Sequence, residues 1–168
     1  MDFDAPYNDI SEIDAFLADS VVVADGKIYA QGAGWNIINT PTVPFRYSRI
    51  GVGTLIRVPY GSTNENHRFE CRLEDADGRP LPLGDAPQGV DSPDGKIRRV
   101  GSEFTVGRPP ALPPGDEQLL PFALNFDGLV FDAPGRYRFV LGIDGRDITT
   151  LSFRVNVHPN SGGSGYGR

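Results

Sequence analysis

Between Leu119 and Val157 the chain places apolar residues at every second position in three successive runs. Leu120, Phe122, Leu124 and Phe126 alternate with Pro121, Ala123 and Asn125. After Pro134-Gly135 the alternation resumes as Tyr137, Phe139, Leu141 and Ile143, separated by Arg136, Arg138, Val140 and Gly142. The last run sets Leu151, Phe153, Val155 and Val157 against Ser152, Arg154 and Asn156. A period of two with one wet face is what antiparallel strands packed on one side require, and it restricts the chain to an all-β class.

Parity constrains the link between the last two runs. A two-residue loop at Asp144-Gly145 pairs Phe139 with Thr150 and turns Leu151 and Phe153 to water while Phe139 faces the core. An odd-length loop removes the conflict. A three-residue turn, Asp144-Gly145-Arg146, with Gly145 at positive φ, sets Phe139 opposite Leu151 and Tyr137 opposite Phe153.

Earlier segments follow the same rhythm. Ser20–Ala24 and Lys27–Ala30 flank Asp25-Gly26, the strongest short hairpin signal. In Arg49–Tyr60, Ile50, Val52, Thr54, Ile56 and Val58 share a face. In His67–Glu74, Phe69, Cys71 and Leu73 point inward against Arg68, Glu70, Arg72 and Glu74. A further strand is expected around Glu103–Val106. Residues 79–96 read as a long mobile surface loop, and Arg108–Gly115, dense in proline, as an extended connector. Asp-Gly occurs five times, which supports seven to nine strands closed by turns.

The expected fold is therefore an antiparallel two-sheet β-sandwich, immunoglobulin-like, with a barrel as the alternative. Tyr137, after Pro134-Gly135, occupies the place of a corner tyrosine. Residues 1–17 are expected to hold a short helix, capped by Asn8 or Ser11, with Ile10, Ile13, Phe16 and Leu17 at helical spacing. The domain would run over 18–159, and 160–168 would be a flexible Gly/Ser-rich tail.

The chain has 168 residues, a net charge of −6 and a single cysteine. That excludes an intrachain disulfide and a cysteine-rich metal site, and Cys71 reads as a small buried hydrophobe. The acidic balance argues against nucleic acid and anionic membrane surfaces. No apolar run approaches a membrane helix, and the acidic start, Met1-Asp-Phe-Asp, lacks a signal-peptide profile, so a cytoplasmic location is expected.

Catalytic signals are sparse. His67 and His158 are the only histidines, with no His-Glu-x-x-His or Gly-x-Ser-x-Gly motif. Gly32-Ala-Gly34 and Gly51-Val-Gly53 open no helix and so are not nucleotide loops. Asp75, Asp77, Asp91 and Asp94 could meet at one end of the sheets around calcium, but Asp-Gly turn chemistry accounts for them more simply. No cofactor and no metal is expected. Three residues are candidates for binding a partner protein. Trp35 reads first as a core tryptophan, the alternative being an exposed aromatic face formed with Tyr29 or Tyr47. Tyr166 and Arg168 read first as part of a plain terminus, the alternative being that they anchor the end of the tail in a partner's pocket.

Two local patterns carry a resemblance. One is Ala18-Asp-Ser-Val-Val-Val-Ala-Asp-Gly-Lys-Ile28 followed by Gly32. The other is Leu73-Glu-Asp-Ala-Asp-Gly-Arg-Pro80 with Phe131-Asp-Ala-Pro-Gly-Arg-Tyr-Arg-Phe139 further on. Over roughly 18–157 the chain resembles an uncharacterised bacterial family, common in actinobacteria, of single-domain β-sandwich proteins with no assigned function. The resemblance implies the fold and supplies no catalytic residue. The function expected is a non-catalytic interaction module, an adaptor or complex subunit. A small-ligand or calcium-binding sandwich is the alternative, and an unrecognised hydrolase the third reading.

Overall fold

The computed structural model describes residues 9–158. The chain order begins with β1 (Glu12–Ala18), β2 (Ser20–Ala24), β3 (Lys27–Gln31) and β4 (Ile37–Thr40). It continues through β5 (Phe45–Val58), a single 3-10 turn at Tyr60–Ser62, β6 (Asn66–Asp75), β7 (Gly84–Asp85) and β8 (Lys96–Ile97). The last four strands are β9 (Arg99–Thr105), β10 (Gln118–Phe131), β11 (Gly135–Ile143) and β12 (Arg146–Val157).

The described residues are all-β, and several sheets share one core. One is three-stranded, in the order β1-β5-β10, and another five-stranded, in the order β4-β12-β11-β6-β9. The alternation read in the sequence decides which residues face each other across the gap. From β5, Ile50, Val52, Ile56 and Val58 are fully buried, and from β11, so are Phe139, Leu141 and Ile143. Phe126 stacks on Phe139 at 5.3 Å and Phe69 on Phe122 at 5.2 Å, so aromatic rings from both sheets interlock. Cys71 is buried among them, as expected.

Several expectations need correction. Residues 12–18 form β1, not a helix. Ile13, Ala15 and Leu17 lie opposite Ile56, Thr54 and Val52 on the core side, so tertiary pairing overrides a short apolar run that also fits helical spacing. The part of that expectation on residues 1–8, and the tail from 159 onward, lie outside the described residues. The pairing is not wholly antiparallel, because β4 runs parallel to β12. Residues 79–96 are not an irregular loop. The Leu81 amide donates to the Leu73 carbonyl, β7 pairs with β8, and Leu83 is buried in the core. The proline-dense connector folds into two turns, closed by Leu112 N–H to the Pro109 carbonyl and Asp116 N–H to the Pro113 carbonyl.

The β11–β12 register is the one expected, but the loop is shorter than the expected three residues. Tyr137 pairs with Phe153 and Phe139 with Leu151. However, Ile143 pairs with Arg146, so Asp144 and Gly145 form a tight two-residue turn, with φ of 53° and 79°. The extra residue is accommodated further along as a bulge at Ile148, where the register shifts between Leu141 and Gly142. Tyr137 does act as a corner residue: its hydroxyl donates to the Ala133 carbonyl at 2.6 Å.

Candidate functional site

The β2–β3 hairpin is separate from both main sheets and forms a third layer. It lies on the outer face of β5 and β10, where small residues allow close approach. A Cβ built on Gly51 would fall 2.7 Å from Val21 Cγ2. Asn125, on β10, acts as a strand substitute. Its Oδ1 accepts the Val21 N–H at 3.0 Å, and its Nδ2 donates to the Val21 carbonyl at 2.8 Å. Val21 is consequently buried, while the next residue points outward. Val22 and its cross-strand partner Tyr29 are 55% and 52% exposed, an apolar pair on the outermost layer.

Trp35 follows this hairpin and is half-buried. Its ring lies 6.1 Å from that of Tyr47 and 6.4 Å from that of Phe153, against the core. Its indole Nε1 is buried and has no hydrogen-bond acceptor among the described residues. Trp35 thus packs with Tyr47, half-buried against the core. Tyr166 and Arg168 lie outside the described residues.

Among the described residues, Ser62, His67 and Asp144 form a cluster with the residue types of a hydrolase. His67 Nδ1 lies 2.8 Å from Asp144 Oδ2, and His67 Nε2 lies 2.8 Å from the Ser62 main-chain carbonyl. In a catalytic triad the second nitrogen must face the nucleophile's hydroxyl. Here it faces a carbonyl, and the ring is 6% exposed. The cluster joins the 3-10 turn, the start of β6 and the β11–β12 turn. The sequence named His67 without revealing its partners, because Asp144 is distant along the chain.

The outer face of the five-stranded sheet carries charge. Glu74, nearly buried, accepts from Arg72 Nε at 2.6 Å and from Arg138 Nε at 2.9 Å, and Arg72 also grips both oxygens of Asp147 at 2.7 Å. Burial works to raise the Glu74 carboxyl, but the two guanidinium groups hold its pKa below the ordinary value. Beyond this network, Arg136 stands directly opposite Arg154.

The four aspartates do not converge. Asp75 Oδ1 accepts the Asp77 and Arg79 amides, and Asp94 binds Arg98 and the Lys96 amide. Both therefore serve turns. No group of three His, Cys, Asp or Glu side chains is placed to hold a metal among the described residues. Nor is any helix there long and apolar enough to cross a membrane.

Two solved structures show weak likeness. The Pseudomonas fluorescens alkylpurine DNA glycosylase AlkC, bound to DNA containing an abasic site analogue, aligns at 11% identity and TM-score 0.40 over 73% of this chain. A β-glucosidase from Listeria innocua in complex with glucose aligns at 12% identity and TM-score 0.36 over 86% of this chain. The chain spans only 28% of the first and 16% of the second, and these similarities are too low to bear on fold or function. No curated protein matches. Residues 13–156 match the family of unknown function DUF6941, and the chain belongs to that family.

Proposed function

We propose that this chain is a non-catalytic protein-interaction module, immunoglobulin-like in architecture, that docks a partner protein through the outer face of the β2–β3 hairpin. The Val22–Tyr29 pair carries the reading. A valine and a tyrosine, each more than half exposed and directly opposed, are presented on a hairpin that Asn125 pins to β10. Tyrosine is a frequent anchor at protein interfaces, and a pre-ordered hairpin lowers the entropic cost of binding. The partner presents an apolar loop or strand to this face. The corner bond from Tyr137 to Ala133 supports the immunoglobulin-like kinship.

The test compares immobilised wild-type protein with a Val22→Ser/Tyr29→Ser variant in cell extract. A protein held by the wild type and released by the variant is the expected result. Identical captured sets would remove the hairpin as the docking face. A third version ending at His158 tests Tyr166 and Arg168: loss of the partner there would move the anchor to the C-terminal segment.

A further inference from the structure

Arg136 and Arg154 are directly opposed in the β11–β12 ladder. Their neighbours Tyr137, Phe153 and Val155 are buried, so both guanidinium groups project from the outer face of the five-stranded sheet. Opposed side chains of an antiparallel pair have Cβ atoms about 5 Å apart, and like charges there repel. The other arginines of this face are matched. Arg138 holds Glu74 at 2.8 Å, Arg72 holds Asp147 at 2.7 Å, and Arg68 and Arg99 approach Glu70 at 3.3 and 3.5 Å. Arg136 and Arg154 have no carboxylate partner among the described residues.

Scarcity of acid is not the reason, since the chain has 22 acidic against 16 basic residues. The adjacent positions on this face are Arg138 on β11, already held by Glu74, Ser152 and Asn156 on β12, and Ile37 on β4. Ile37 is beside Arg154 in the parallel register and is 52% exposed. Asn36 and Phe153 complete the lining of a groove of about 310 Å³. Its contents are two guanidinium forks, a hydroxyl, an amide and an exposed aliphatic side chain.

We propose that this groove binds an acidic polypeptide segment, with two carboxylates engaging Arg136 and Arg154 and an aliphatic side chain lying against Ile37. Guanidinium groups match carboxylates in a two-pronged geometry, and an incoming pair of negative charges relieves the repulsion between the two arginines. A bare inorganic anion would satisfy the arginines but leave Ile37 uncovered, which is why a peptide is the favoured occupant. The site is on the face opposite the hairpin and does not depend on it.

The experiment measures fluorescence anisotropy of a labelled pentapeptide, Glu-Glu-Leu-Glu-Glu, against the full-length protein. Wild type is expected to bind, R136Q/R154Q to weaken binding by about tenfold or more, and R136K/R154K to fall between, since lysine keeps charge without the fork. The V22S/Y29S variant is expected to bind the peptide as wild type does, which separates failure of this site from failure of the hairpin. Equal binding by wild type and R136Q/R154Q, or no binding by wild type, overturns the proposal. So does equal binding of Glu-Glu-Gly-Glu-Glu together with displacement by inorganic phosphate at the peptide's own concentration, which identifies a simple anion site. The exposure of both arginines makes the variants tolerable, and denaturant unfolding verifies that they fold.

Discussion

His67 and Asp144 are joined at 2.8 Å from Nδ1 to Oδ2, while the other ring nitrogen of His67 meets the Ser62 carbonyl at the same distance. A carboxylate and a carbonyl can only accept, and a neutral imidazole has one N–H. Both contacts are satisfied together only by the imidazolium. Asp144 reinforces the link through its main chain: its Oδ1 accepts the Arg68 amide, and its own amide donates to the Arg68 carbonyl. The pair therefore ties the β11–β12 turn to the first residues of β6.

This tie predicts a pH-dependent stability. Burial opposes the charge on His67, but its bonds to Asp144 and the Ser62 carbonyl prevail and raise its pKa above 6.5. Burial likewise opposes the Asp144 charge, but the bonds from His67 and the Arg68 amide lower its pKa below 3.8. The His67 contribution is complete below 6.5 and is lost as pH rises through the raised folded value. That of Asp144 is complete above 3.8 and is lost as pH falls through the lowered folded value. The contribution of the pair is therefore greatest between those two limits. Denaturant midpoints for wild type should fall as pH rises past 6.5, and His67→Gln should flatten that decline. An unchanged slope in the variant would show that the imidazolium is not its source.

Asn125 predicts how the hairpin layer is held. Asn125→Ala removes the partner of the Val21 N–H and carbonyl; Val21 is buried but Asn125 is exposed, so water replaces part of what is lost and the cost should be about 1 kcal/mol. Asn125→Asp keeps an acceptor for the N–H but places a lone pair against the carbonyl. Amide exchange at Val21 should accelerate in both variants, with residues of β6 and β11 unaffected. Uniform acceleration across the domain would mean that the hairpin is not a separate opening unit.

Gly51 is the second support of that layer. An added Cβ meets Val21 Cγ2 at 2.7 Å and the Ser20 backbone at 3.2 Å. Gly51→Ala should therefore destabilise by about 1–3 kcal/mol, since backbone must move and not only a side chain. Gly84 serves as the control. Nothing lies within 4 Å of its added Cβ, and Gly84→Ala should be neutral or slightly stabilising in the same unfolding assay. Equal effects at the two positions would contradict the close approach.

Glu74 predicts an acid-limb effect. Its two arginine partners hold its pKa below 4.5 despite burial, so its stabilisation is complete above that value and lost as pH falls through the folded one. Glu74→Gln should cost about 1–3 kcal/mol at neutral pH, because Arg72 and Arg138 lose a charged acceptor. Unfolding curves of wild type and variant should converge in acid. A difference independent of pH would assign the loss to packing.

What could be read in the sequence was period and parity. Tyr137 opposite Phe153 follows from the inward sets of β11 and β12, and the same register sets Arg136 opposite Arg154. That juxtaposition was legible in principle, but its missing counter-charge was not, because alternation does not show what stands on the neighbouring strand. The tight turn at Asp144-Gly145 and the bulge at Ile148 give the same downstream register as a three-residue loop, so parity alone does not separate them. The span of β1 also fits a helix, because Ile13 and Leu17, four apart, satisfy both periods over so short a stretch. The ties from Asn125 to Val21 and from His67 to Asp144 join distant parts of the chain, and no local pattern encodes them.

Tyr137 separates hydrogen bonding from packing. Its ring stacks on Phe153 at 5.9 Å and meets Phe131 edge-on at 4.8 Å, while its hydroxyl reaches the Ala133 carbonyl at 2.6 Å. Tyr137→Phe keeps the ring contacts and removes only the corner bond. The expected loss is about 1 kcal/mol, the net worth of one internal hydrogen bond. Tyr137→Ala removes the ring from a core shared with Phe131, Phe139 and Phe153, and should cost about 3–5 kcal/mol by analogy with other large-to-small aromatic changes. Denaturant unfolding of both variants measures the two contributions. A Tyr137→Phe loss as large as that of Tyr137→Ala would mean that the corner bond, and not the aromatic packing, secures the start of β11.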